Sequence, residues 1–138
     1  MMPLLEGKYR GLLFSHIGGQ EGLTPEASNS NYSAVQEITS QLPGAYRPGP
    51  VPWPARRDAL RNLHNRRGTF GPAVLLDKVV AAPLILALRG KWHYKRLPGG
   101  EVLRDLPVKD HPWSDLGDAY AAGAAVIFGM AGVRKAPT

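Results

Sequence analysis

Asp110-His111-Pro112-Trp113-Ser114-Asp115-Leu116-Gly117-Asp118-Ala119-Tyr120, followed by a small apolar run to Val133, is the stretch whose reading decides the fold. Pro112 and Ser114 are residues that start helices, and Asp115 and Asp118, three positions apart, then share one face of the first turn. Aspartates there are stabilised by the helix dipole in any protein, so the pair is either a cap or half of a metal site. The helix behind them runs Ala119-Tyr120-Ala121-Ala122-Gly123-Ala124-Ala125-Val126-Ile127-Phe128-Gly129-Met130. Side chains this small let neighbouring elements approach closely on several sides. That sets the acidic end rigidly against a core, as a catalytic carboxylate requires.

Upstream, Tyr9-Arg10-Gly11-Leu12-Leu13-Phe14-Ser15-His16-Ile17 has the length and apolar content of a buried strand, closed by Gly18-Gly19. Residues 20–31 are polar and read as a loop. In residues 32–42, Val35, Ile38 and Leu42 recur at helical spacing, which predicts a short amphipathic helix. Residues 43–54 hold five prolines and two glycines, so an extended connector without regular structure is expected. Residues 55–67 then place Ala59, Leu60 and Leu63 on one side and arginines around the rest, an amphipathic helix with a basic face. Gly71-Pro72 leads into an expected strand over 73–77 that ends in Asp77, and 83–90 reads as a helix closed by Gly90. Residues 91–97 and 101–106, joined by Pro98-Gly99-Gly100, form a β-hairpin. The order strand, helix, helix, strand, helix, hairpin, helix describes an α/β layered domain.

The composition narrows the chemistry. At 138 residues without cysteine, the chain is one modest domain with no disulfide framework, thiolate metal site or cysteine nucleophile. Seventeen Lys and Arg against eleven Asp and Glu give a net charge of +6, a balance suited to a polyanionic partner. No phosphate-binding loop ending in Gly-Lys-Ser/Thr is present, and Gly18-Gly19-Gln20-Glu21-Gly22 lacks the spacing of a dinucleotide fingerprint, so it reads as a tight turn. His16, His64, His93 and His111 are scattered without metal-ligand spacing, and Ser114 is not in a nucleophile elbow. No secretory signal stands at the N-terminus, and the final apolar run, 119–133, is shorter than the roughly 20 residues of a membrane span. A soluble, intracellular protein is expected.

Three further stretches, taken in order, carry a resemblance. Arg89-Gly90-Lys91-Trp92-His93-Tyr94, then Leu106-Pro107-Val108-Lys109-Asp110, then Ser114-Asp115-Leu116-Gly117-Asp118-Ala119 resemble the C-terminal nuclease domain of tailed-phage large terminase subunits. In that family a Gly-x-Tyr/Trp-x-Tyr hairpin, a Pro-x-Lys stretch and a Ser-His-x-x-Asp-Ala helix start come in this order. Arg56-Arg57-Asp58-Ala59-Leu60 and Gly71-Pro72-Ala73-Val74-Leu75-Leu76 fall where the family has an arginine-started helix and a strand. The likeness covers residues 49–129.

The resemblance implies an α/β, ribonuclease H-like nuclease fold with a β-hairpin and a buried C-terminal helix. It also implies a metal-dependent endonuclease that cuts concatemeric viral DNA during packaging. Clustered acids would hold two Mg²⁺ or Mn²⁺ ions about 4 Å apart, stabilising the attacking and leaving oxygens. By position, Asp118 matches the terminal metal-binding aspartate, and Asp115 stands where the family has histidine. The family's middle acid sits in a Gly-Asp-Pro turn; Gly19 occupies that place here, with Glu21 the carboxylate two residues on that could reach the same site. Asp77, at the end of the expected strand, is either a further metal ligand or an ordinary strand-terminating residue. The family's first catalytic aspartate and its ATPase domain belong to segments upstream of this sequence, so a partial terminase with an incomplete acid set is expected.

The expected partners are double-stranded DNA, the terminase ATPase part or small subunit, and the portal, in the cytoplasm of a bacterial host. DNA phosphates would be met by Arg56, Arg57, Arg61, Arg66 and Arg67 on the basic helix and by Lys91, Lys95 and Arg96 on the hairpin. Lys109, just before the acidic helix, contacts a phosphate, neutralises the carboxylates or is a plain loop lysine. Trp92, His93 and Tyr94 either stack on bases or pack on the core. Two other readings stand beside the nuclease: a non-catalytic DNA- or partner-binding piece of the packaging motor, and an unrelated small α/β binding protein.

Overall fold

The computed structural model describes residues 7, 10–25 and 33–128. It is a mixed α/β structure with four α-helices and three two-stranded sheets among the described residues. The first unit is a parallel pair. Strand β1 (Phe14–Gly18) runs beside β2 (Gly44–Pro48), with Phe14 opposite Gly44 and Gly18 opposite Pro48. A 3₁₀ turn (Gln20–Leu23) and helix α1 (Ala34–Gln41) lie on the connection between them. A capping box starts α1: the Gln36 amide donates to Ser33 Oγ at 3.3 Å, and the Ser33 amide donates to Gln36 Oε1 at 2.7 Å.

Strand β2 corrects the expectation of an irregular connector. Pro43 precedes the strand and Pro48 takes its last rung, so the four residues from Gly44 to Arg47 keep their N–H groups for a ladder. Helix α2 (Trp53–Asn65) follows, with Pro54 tolerated in its first turn and Trp53, Ala59 and Leu63 buried. The expected strand over 73–77 does not form. Two-residue strands β3 (Arg67–Gly68) and β4 (Gly71–Pro72) pair instead, and Asp77 Oδ1 accepts from the Val79 and Val80 amides at 2.8 and 2.9 Å, turning the chain. Among the described residues no strand lies beside 74–76 to pair with, and Leu75 is exposed.

Helix α3 (Ala82–Leu86) continues into a π-helical turn (Ala87–Lys91) that ends around Gly90, whose φ is +133°. The hairpin is present as β5 (Tyr94–Arg96) and β6 (Val102–Pro107), antiparallel, with a register shift between Tyr94 and Lys95. Helix α4 (Trp113–Phe128) is the centre of the fold, packing on α2 and touching β1, β2 and α3. Its small residues do what their size predicts. Ser114, Gly117, Ala121, Ala122, Ala124, Ala125 and Val126 are all buried. A Cβ on Gly49 would lie 2.8 Å from Ala122 Cβ, and one on Gly117 would run into the Trp92 ring. Ala59, Leu63, Ala124 and Ala125 form the core, with Leu60, Val74, Tyr120 and Phe128 packed against it.

The expected strand's first residue, Tyr9, the loop over 26–31, Tyr32 and the end of the apolar run, 129–133, lie outside the described residues. Among the described residues no helix is long and apolar enough to cross a membrane.

Candidate functional site

Parallel strands offer ligands a crevice beyond their carboxyl ends, where backbone groups and loop side chains converge. Strands β1 and β2 both end at a cleft of about 570 Å³, closed on its far side by the first turns of α4. Four separate segments line it: the turn Gly18-Gly19-Gln20-Glu21, the residues Gly49-Pro50-Val51 after β2, Arg56 of α2, and Lys109 with Asp115, Asp118, Ala119 and Ala122. Three bonds hold the turn in place. The Gly49 amide donates to the Gly18 carbonyl at 2.8 Å, Gln20 Nε2 to the Gly49 carbonyl at 3.3 Å, and Tyr46 Oη to the Gly19 carbonyl at 2.6 Å. Burial, and secondarily the nearby charge of Glu21, push the Tyr46 hydroxyl above its ordinary pKa, so it keeps the proton it donates.

Asp118 is the most enclosed of the three acids. Its side chain is 22% exposed; Oδ1 accepts from Arg56 Nη1 at 3.4 Å and Oδ2 from Lys109 Nζ. Arg56 is fixed from two sides, since its guanidinium also lies 5.6 Å from the centroid of the Trp53 ring. Asp115 is more exposed and pairs with His111 Nδ1, one helical turn back. Glu21 is exposed, and its carboxylate oxygens occupy the space into which a side chain at Gly19 would grow. Glu21, Asp115 and Asp118 against Arg56 and Lys109 leave the cleft one negative charge in excess.

Carboxylate oxygens are the donors that Mg²⁺ and Mn²⁺ prefer. The present arrangement nevertheless does not fit a two-metal centre. Both oxygens of Asp118 are taken by cations, Asp115 is turned to His111, and among the described residues no three His, Cys, Asp or Glu side chains stand close enough to hold a metal ion. Asp77, the fourth candidate, does not line the cleft; its carboxylate caps the turn before α3. The four histidines are likewise dispersed, with His16 on the Leu42 carbonyl, His64 on Tyr120 Oη, His93 on the Tyr94 carbonyl and His111 on Asp115.

The proposed DNA cations divide into two groups. Arg56 and Lys109 are in the cleft and spend their charge on Asp118, and Arg57 pairs with Asp58 at 3.0 Å. Arg61, Arg66, Arg67, Lys91, Lys95 and Arg96 are exposed on α2, on the chain that follows it, and on or beside the hairpin. Sequence reasoning missed Tyr46, hidden in the proline-rich segment, and the Arg56–Asp118 pair. An alternating strand signal flanked by prolines was available for the first; an ion pair between residues 62 positions apart leaves no local trace. Comparison with known protein families, curated proteins and solved structures gives no match.

Proposed function

We propose that this chain is a nuclease-type part of a phage terminase, of ribonuclease H-like fold, that engages double-stranded DNA during packaging. The observation that carries the reading is the convergence of three sequence-distant stretches in one cleft: the Gly18-Gly19-Gln20-Glu21 turn, Arg56, and the Asp115/Asp118 helix start. Of these, the resemblance assigns the acids Glu21, Asp115 and Asp118 to one site, and Arg56 is added to it by the Asp118 contact. Duplex DNA lies on the exposed cations of α2 and the hairpin, whose phosphate contacts need no base readout. With Asp118 bound to Arg56 and Lys109, the isolated chain binds without cutting, and its partners are the ATPase part or small subunit and the portal.

A second reading, metal-dependent endonucleolytic cutting of concatemeric DNA, is favoured by the excess acid in the cleft and by the Glu21 carboxylate at the Gly19 position. A plasmid assay in Mg²⁺ or Mn²⁺ separates the two. The expected outcome is salt-sensitive DNA binding with no metal-dependent nicking by the wild type. Nicking by the wild type that disappears in Asp118→Ala would establish the second reading instead, and absence of DNA binding would refute both.

A further inference from the structure

A second pocket, of about 220 Å³, lies between α2 and the hairpin and shares no lining residue with the acidic cleft. Trp53, Arg57, Leu60 and Arg61 line it from α2, at spacings that put them on one helical face; Trp92, His93, Tyr94 and Pro107 line it from the hairpin side. Its rings are fixed against each other. Trp53 stands edge-on to Trp92 at 5.4 Å and to Tyr94 at 6.3 Å, and Trp53 Nε1 donates to Tyr94 Oη at 3.0 Å. The Trp92 indole N–H is buried and has no hydrogen-bond partner among the described residues. Arg57 is held by Asp58, while Arg61 is exposed and forms no ion pair among the described residues.

An apolar ligand alone leaves Arg61 without a role, and a simple anion leaves the rings without one. A nucleotide uses both, because every base has a flat face that stacks on an aromatic ring and every backbone link carries a charge for arginine. The pocket also sits between the two elements whose exposed cations are placed on DNA above. We infer that this pocket takes one unpaired nucleobase of a DNA strand, stacked on the aromatic wall, with the adjoining phosphate on Arg61. The inference rests on the reading of α2 and the hairpin as DNA-facing, and the blunt probe below tests that reading by itself.

The test is a binding titration of the full chain with three probes: a blunt duplex, the same duplex with an oligothymidylate overhang, and the same duplex with an abasic overhang of equal length. The thymidine overhang is expected to bind about tenfold more tightly than the abasic one, the size of one base stacked on an aromatic ring, and to quench tryptophan fluorescence. Arg61→Ala is expected to weaken both overhangs by a similar factor. Equal affinity for the two overhangs, without quenching, overturns the inference whether or not the blunt duplex binds. A thymidine preference together with failure of the blunt duplex upholds the pocket and refutes the duplex reading.

Discussion

Leu63→Ala is expected to destabilise the fold by about 2–5 kcal/mol, the cost of truncating a buried leucine whose surroundings collapse only partly around the void. The core that Leu63 enters is built mainly from alanines, with Ala59, Ala124 and Ala125 as its buried neighbours. Leu63, at 2% exposure, is the one large side chain among them. Alanines on rigid helices cannot rotate into the space it leaves, so relaxation falls to the partly buried Leu60, Val74, Tyr120 and Phe128 at the core's edge and fills the cavity only in part. A domain with a typical stability of about 5–15 kcal/mol loses a large share of it. Urea unfolding followed by circular dichroism checks this, with a lowered midpoint at an unchanged slope as the expected result.

Gly117→Ala is expected to cost about 1–3 kcal/mol by overpacking, although alanine is otherwise the better helix former. Gly117 is buried in the second turn of α4, and a methyl group there meets the indole of Trp92. Trp92 cannot retreat freely, because Trp53 stands edge-on behind it and is itself bonded to Tyr94. The substitution therefore pushes the start of α4 away from the hairpin and moves Asp118 relative to Arg56. Thermal unfolding gives the cost, and a double variant with Trp92→Leu is expected to recover part of it, since removing the indole removes the clash. A helix that gained stability from the added methyl would show that the close approach is not maintained.

Both predictions depend on small residues, and these made the centre of the fold legible in the sequence. The Ala/Gly run after Asp118 announced a helix packed on several sides, and α4 has that burial pattern. Helix α2 was legible from Ala59, Leu60 and Leu63, although it starts at Trp53, since proline in a first turn signals a helix start as readily as a break. Strand β2 was not legible because proline count obscured a four-residue run with free amides. The strand expected at 73–77 failed for the opposite reason: apolar composition was present, but the described residues offer no partner for its ladder.

In the candidate site, local patterns identified the acids but not what neutralises them. Asp115, Asp118 and Glu21 do line one cleft. The basic-helix pattern makes Arg56 a phosphate contact, yet it faces Asp118 beside Trp53. A helical pattern fixes which residues share a face; the charge opposite that face is fixed only by how α2 and α4 pack. Under the proposed function, the DNA-facing role falls to cations that make no such contact among the described residues, among them Arg66 after α2 and Lys95 on β5.

The most direct measurement is the salt dependence of duplex DNA affinity for the wild type, Arg66→Ala, Lys95→Ala and the double variant. Each lost phosphate contact is expected to lower the slope of log affinity against log salt by about one, and the double variant by about two. Both side chains are exposed, so folding is expected to be unchanged. Slopes identical in all four proteins, or no affinity for duplex DNA in the wild type, would contradict the placement of DNA on α2 and the hairpin.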